Sequence, residues 1–142
     1  MSINKLCEQA HRNAVAHGFY DDDIDEHLLF ARNIALIHSE LSDALEDDRN
    51  SRRADWEAYD KYDGRTTVED NFVRHIKDSV EDELADAVIR IFDYCGHAGI
   101  DLERHIRVKM AYNALRPAKH NKKILRENNN QLLQLCHGTL IL

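Results

Sequence analysis

The sequence predicts an all-α fold. Apolar residues recur every three or four positions along four stretches of the chain, which is the spacing of one helix face. No stretch shows the alternation of apolar and polar residues that is typical of a half-buried β-strand. The single proline, Pro117, lies outside all four stretches and interrupts none of them. We therefore expect four helices packed as one bundle.

The first helix is predicted over residues 3–17, because Leu6 and the alanines after it follow helical spacing. Gly18 comes next, where a helix often ends in a left-handed residue. The second and longest helix begins in the acidic cluster 21–26, which supplies an N-cap and negative charge near its first turn. It runs to about Arg49.

The second helix carries a continuous apolar stripe, which we expect to face the core. Leu36 lies on another side, in line with Glu40 and Asp43. A helix that is apolar on two sides is either central in its bundle or shared with a second subunit. The stripe consists of Phe30, Ile34, Ile37, Leu41, Ala44 and Leu45.

Residues 50–77 are predicted to form a long connection with one helical turn around residues 56–59 and another around 72–76. Loops of this length are usually functional or mobile. A third helix then starts at a cap formed by Asp78 or Ser79, and glycines 96 and 99 are expected to end it.

The last predicted helix covers residues 102–115, with Asp101 as its cap. We assign residues 1–124 to one helical domain. The remaining tail, 125–142, is either an arm that packs on another subunit or a disordered end, and the sequence favours neither.

Composition limits the class of protein. The chain has 142 residues, a net charge of −7 and three cysteines without CxxC spacing. We expect a cytoplasmic protein with reduced thiols, because neither an apolar run of membrane-spanning length nor a signal peptide is evident. The negative charge argues against nucleic acid as a partner. Charges are nevertheless sorted: ten acids lie between residues 21 and 48, and eight basic residues without an acid lie between 104 and 126.

Two pairs of carboxylates are the candidate chemical centre. Glu40 and Asp43 are three residues apart on the second helix, and Glu83 and Asp86 repeat that spacing on the third, so each pair shares one helix face. Each glutamate borders an apolar stripe, where an unpaired carboxylate is costly. A salt bridge is the ordinary explanation for such acids, but the only basic residue near the second pair is Arg90.

A divalent cation satisfies these carboxylates more directly. Mg²⁺ prefers oxygen ligands and keeps positions open for water and phosphate oxygens, and Mn²⁺ is the natural substitute. A di-iron centre would need Glu-x-x-His on two helices. That spacing occurs once, at Glu8 and His11, far from both pairs in sequence.

Candidate substrate-binding residues follow the second acidic pair. Lys109 and Asn113 share a face of the last helix, and Arg116 lies about one turn later. A lysine ammonium suits a metal-bound polyphosphate, and an asparagine amide both donates and accepts. Trp56, in the connection, is a candidate for stacking on a base, although a role in capping the open end of the bundle is favoured over it.

With these residues in place, the chain resembles the MazG-like group of all-α nucleoside triphosphate pyrophosphohydrolases. That group is marked by E-x-x-E, then E-x-x-D, then a downstream lysine and asparagine. The resemblance covers residues 3–124. It departs at Asp43, where the group has glutamate, so Asp43 is the weakest ligand assignment. The matching positions are Glu40 with Asp43, Glu83 with Asp86, and Lys109 with Asn113.

The resemblance implies Mg²⁺-dependent hydrolysis of a nucleoside triphosphate to the monophosphate and pyrophosphate, as in cleansing of the nucleotide pool. It also implies a homodimer or homotetramer that completes a four-helix bundle. Glu40 is the first candidate for the general base, with Glu83 as the other catalytic carboxylate. The competing hypothesis is a catalytically silent helical module that dimerises or senses nucleotides and uses its charges for salt bridges.

Overall fold

The computed structural model describes residues 1–21 and 23–116, and within these ranges the protein contains helices and no strand. The all-α prediction is therefore confirmed for the described part of the chain. The four long predicted helices are present, and two short ones lie in the connection. The elements are α1 (Ile3–Ala16), α2 (Glu26–Arg49), α3 (Trp56–Tyr59), α4 (Val68–His75), α5 (Val80–His97) and α6 (Leu102–Ala114).

Helix α5 lies at the centre of the first compact unit, which contains Ile3–Ile100, and packs against both α1 and α2. Two contacts between α5 and α2 show that the two helices run in opposite directions. Phe30 meets Tyr94 near one end, with ring centroids 5.2 Å apart, while Glu40 meets Arg90 further along. The pair is thus antiparallel, which brings the middle of α2 to the first half of α5.

Local sequence explains where these helices start. The Asp25 carboxylate accepts hydrogen bonds from the backbone N–H groups of α2, and the Ser79 hydroxyl accepts one from Asp82 at the start of α5. Thr67 and Asp70 form a capping box on α4, and the connection contains more helix than its polar composition predicted. Both predicted helical turns of the connection are confirmed.

Gly96 has a packing role, and the prediction that it ends the third helix is wrong. Helix α5 continues through it to His97, and the turn comes at Gly99, whose φ is 64°. A Cβ on Gly96 would lie 2.5 Å from the Cys7 carbonyl oxygen. Glycine is therefore required where α1 and α5 approach most closely.

The core of the first unit is built from small side chains, and its buried apolar residues are Cys7, Leu29, Ala44, Ile76, Ala87 and Cys95. Cys7 and Cys95 are free thiols, and burial raises the pKa of each. Cys136, the third cysteine, lies outside the described residues.

The face of α2 that contacts α5 differs from the predicted one. Most of the apolar stripe is exposed: Phe30, Ile34, Leu41 and Leu45 are 38–51% accessible. The prediction that this stripe faces the core is wrong within one chain. Periodicity located the stripe correctly but could not show which neighbour covers it. The buried residues of α2 are Leu29, Asn33, Glu40, Ala44 and Asp47.

Helix α6 belongs to the second compact unit, which begins at Asp101. Its Asp101 cap accepts a hydrogen bond from the Arg104 N–H at 3.1 Å, as predicted. The assignments of a domain end at 124 and of an arm or disordered tail over 125–142 lie outside the described residues. No helix in the described ranges has the length and apolar character needed to cross a bilayer.

Candidate functional site

The antiparallel packing of α2 and α5 brings carboxylates of both helices together. One oxygen each from Glu40, Asp43 and Glu83 lies within 4.8 Å of the others. Glu40 is only 8% accessible, whereas Asp43 is exposed. We call these three residues the carboxylate cluster. Neighbouring oxygens in an octahedral Mg²⁺ shell are about 3 Å apart, so small rotations of the side chains would bring these oxygens into ligating range.

The fourth predicted carboxylate, Asp86, lies outside the cluster but remains coupled to it. It follows Glu83 by one turn of α5 and is exposed. Desolvation raises the pKa of Asp86, and the charges of Asp82 and Glu40 raise it further. Three of the four predicted residues are thus brought together directly, and Asp86 borders them.

Glu83 is the most perturbed carboxyl group of the cluster. Desolvation, a hydrogen bond with Glu40 and the charges of Glu40, Asp82 and Asp86 raise the pKa of Glu83 to about 7. In the absence of a cation Glu83 therefore keeps its proton up to about pH 7, and the protonated form can donate a hydrogen bond to Glu40. Such a site is short of positive charge.

One guanidinium partly compensates the cluster. Arg90 Nε donates to Glu40 Oε1 at 2.6 Å, and the Glu40 side chain is mostly buried in this pair. The salt-bridge interpretation therefore holds for Glu40. A single positive charge still faces several carboxylates, and the charges of neighbouring acids add to desolvation in raising the pKa of Glu83 and Asp86.

Asp47 extends the acidic face of α2 and was not predicted. It is 3% accessible and pairs with Arg52, yet its Oδ2 atom has no hydrogen-bond partner. Its charge contributes to the raised pKa of Asp82 on α5. Asp47 follows Asp43 by four residues, so helical spacing pointed to this face, but its burial depends on how the chain turns back at Arg52.

A cavity of about 170 Å³ lies beside the cluster, between α1 and α5. Asp86 and Arg90 line it together with Asn13, Phe19 and Asp93. The sequence did not predict this cavity, because nothing in the pattern of α1 indicated which helix α1 packs against.

His11 is bound away from the carboxylate cluster. Its Nδ1 lies 3.0 Å from Asp93 Oδ1, which also accepts a hydrogen bond from the Tyr20 hydroxyl at 2.9 Å. His11 and His97 meet edge to face, with ring centroids 5.5 Å apart. The prediction that Glu8-x-x-His11 serves no di-iron centre stays a prediction.

The predicted substrate-binding residues lie elsewhere in the chain. Trp56 is half exposed and packs edge-on against Tyr59 in α3, with ring centroids 5.5 Å apart. Lys109 Nζ lies 5.1 Å from the ring centroid of Tyr112 on α6, while Asn113 and Arg116 belong to the end of the same segment. Lys109, Asn113 and Arg116 belong to the second unit, so their role in binding a substrate at the carboxylates stays a prediction.

Comparisons with protein-family models, with curated proteins and with solved structures gave no match. The resemblance to the MazG-like group therefore rests on the motif residues alone.

The residues of the cluster fit a hard divalent cation. They are oxygen donors from two helices, they repel one another, and the one paired guanidinium leaves the pKa of Glu83 raised to about 7. A histidine or thiolate, which zinc would favour, is not among the cluster residues. Exposed Asp43 and Asp86 leave one side open for a ligand.

Proposed function

We propose that this protein hydrolyses nucleoside or deoxynucleoside triphosphates to the monophosphate and pyrophosphate with Mg²⁺, for which Mn²⁺ can substitute. The observation that carries the proposal is the convergence of Glu40, Asp43 and Glu83 from two antiparallel helices, with oxygens within 4.8 Å. The motif resemblance supports the same reaction, and a role in cleansing the nucleotide pool follows from it.

In this proposal Glu40, Asp43, Glu83 and Asp86 hold the cation. When bound, it supplies positive charge that offsets the phosphate oxygens and acidifies water. Glu83, the other catalytic carboxylate from sequence, is now the better candidate for the general base, because a carboxylate that is not fully used in ligation can accept a proton from water. Glu40, the first candidate from sequence, is engaged by Arg90.

The remaining predicted roles belong to substrate binding. Lys109 offers an ammonium to the leaving pyrophosphate, with Asn113 and Arg116 as further polar groups on the same segment. Trp56 is half exposed, which suits stacking on a base.

A homodimer or homotetramer is part of the proposal. Successive residues of a helix are about 100° apart around its axis. Counted in this way, the exposed stripe of α2 lies about 100° away from the side of α2 that faces α5. On α5, three exposed apolar residues lie at a corresponding angle from the side that faces α2: Leu84, Val88 and Ile91. Because the helices are antiparallel, both stripes lie on the same side of the pair. A second copy of the α2–α5 pair would cover them and complete a four-helix bundle.

A panel of nucleoside triphosphates incubated with the purified protein and Mg²⁺ tests the activity directly. We expect pyrophosphate, and no orthophosphate, from at least one nucleotide. Glu83→Gln should abolish the release, whereas the matched change Glu8→Gln, at an exposed surface pair on α1, should leave it unchanged.

The alternative is the catalytically silent helical module, and the Arg90–Glu40 pair is the observation in its favour. If it is correct, no nucleotide yields pyrophosphate. Glu83→Gln then affects only the melting temperature.

A further inference from the structure

Arg90 borders two features, the carboxylate cluster and the cavity between α1 and α5. Its Nε is bonded to Glu40 of the carboxylate cluster, and its side chain also lines the cavity between α1 and α5 beside Asp86. About a third of the side chain is accessible, whereas the Glu40 side chain is 11% accessible. The arginine can therefore move more easily than its partner.

The chemistry of the guanidinium suits a phosphate as well as a carboxylate. It presents five N–H donors in a planar fork, and such a fork binds phosphate oxygens in pairs. The bond to Glu40 uses Nε. A small rotation about the outer bonds of the side chain would point the fork toward an anion at the cavity mouth.

The position of Arg90 also creates competition. A cation bound by Glu40 would lie close to the guanidinium, and two positive charges at that separation repel each other. Negative charge from a phosphate relieves the repulsion and gives the displaced arginine a new partner.

We propose that Arg90 couples cation binding to phosphate binding: it neutralises Glu40 until a divalent cation takes its place, and the released guanidinium then holds a phosphate of the substrate. This inference rests on the proposed function and concerns the same site. Its consequence is that the free cation binds weakly and the cation–polyphosphate complex binds tightly. Arg90 is thus a substrate-binding residue whose effect is visible in binding as well as in turnover.

Calorimetric titration of the full chain tests the coupling, first with MnCl₂ alone and then with the Mn²⁺ complex of inorganic tripolyphosphate. Removing a charge-assisted hydrogen bond changes affinity by about tenfold or more. We expect Arg90→Gln to bind free Mn²⁺ about tenfold more tightly than the unmodified protein and to bind the complex about tenfold more weakly. Arg12→Gln, which removes an exposed pair on α1, should change neither value.

Arg90→Lys keeps the positive charge but lacks the fork, and it replaces Arg90→Gln if that variant does not fold. We expect its affinity for free Mn²⁺ to stay within about twofold of the unmodified protein and its affinity for the complex to fall about tenfold. Melting curves by circular dichroism establish that each variant is folded.

Two results would overturn the coupling. If Arg90→Gln lowers the melting temperature but leaves the affinity for Mn²⁺ unchanged, Arg90 only supports the fold. If the variants bind the tripolyphosphate complex as tightly as the unmodified protein, the guanidinium does not hold phosphate. In both cases Mn²⁺ still binds, whereas failure of the unmodified protein to bind Mn²⁺ in either form would contradict the proposed function as well.

Discussion

At the scale of single residues, Glu83 links the stability of the protein to the proposed chemistry. Desolvation, Glu40 and the neighbouring acids raise the pKa of Glu83 from 4.5 to about 7. The folded protein therefore binds a proton more tightly than the unfolded chain between these two values. By linkage, the contribution of Glu83 to the free energy of unfolding falls as the pH rises through this range.

We expect the metal-free protein to lose about 2 kcal/mol of stability between pH 4.5 and pH 7 from this group. The raised pKa values of Asp82 and Asp86 add in the same direction. Urea unfolding at several pH values in EDTA gives the measurement. Glu83→Gln should flatten the curve, and an equally steep curve in that variant would show that Glu83 is not the cause.

Gly96 gives a second prediction at the residue scale. Alanine normally stabilises a helix relative to glycine by about 1 kcal/mol. At Gly96 the added Cβ would lie 2.5 Å from the Cys7 carbonyl oxygen and 2.8 Å from the His11 Cβ. Gly96→Ala should therefore destabilise the protein by about 1–3 kcal/mol.

Ala85→Gly, at an exposed position of the same helix, measures the ordinary propensity difference and should cost about 1 kcal/mol. Both variants can be measured by urea unfolding at one pH. A Gly96→Ala protein more stable than the original would contradict the close approach of α1 and α5.

The residue types of the site could be predicted, but their pairing could not. Spacing of three identified Glu40, Asp43, Glu83 and Asp86 from the sequence. The bond from Arg90 to Glu40 joins residues 50 positions apart, and it depends on the packing of two helices. The burial of Asp47 was not predicted either, because it depends on how the chain turns back at Arg52.

At the scale of elements, caps and periodicity predicted the long helices well, because both are local properties of the chain. The prediction failed at Gly96, since glycine is common at helix ends and also at close helix contacts, and only packing separates the two. It failed for the buried face of α2 as well. There Asn33, Glu40 and Asp47 face α5 while an apolar stripe is exposed.

The exposed stripe of α2 supplies a prediction about assembly. Replacing Leu41 and Leu45 by glutamine removes apolar surface from the stripe while preserving helix propensity. We expect the double variant to shift from dimer or tetramer toward monomer in light scattering, with unchanged helical content.

Leu28→Gln is the matched control, because Leu28 is exposed on α2 at an angle well away from the stripe. It should leave the mass of the assembly unchanged. A mass of 16.5 kDa for the unmodified protein, with full activity, would instead show that the stripe needs no second copy.

At the scale of the molecule, the proposed function depends on two helices, each of which would supply half of a cation site. The sequence was sufficient to propose this site because the two acidic pairs repeat one spacing on two predicted helices. It was insufficient to predict the cavity beside Asp86 and Arg90, because that cavity arises only from the packing of α1 on α5.

Pyrophosphate release under control of the divalent cation is the most direct test of the central claim. With the best nucleotide of the panel, release should stop in EDTA and return with Mg²⁺ or Mn²⁺. Ca²⁺ should not restore it, since its looser and larger coordination shell misplaces the reacting groups. Undiminished pyrophosphate release in EDTA would contradict a cation site formed by Glu40, Asp43, Glu83 and Asp86.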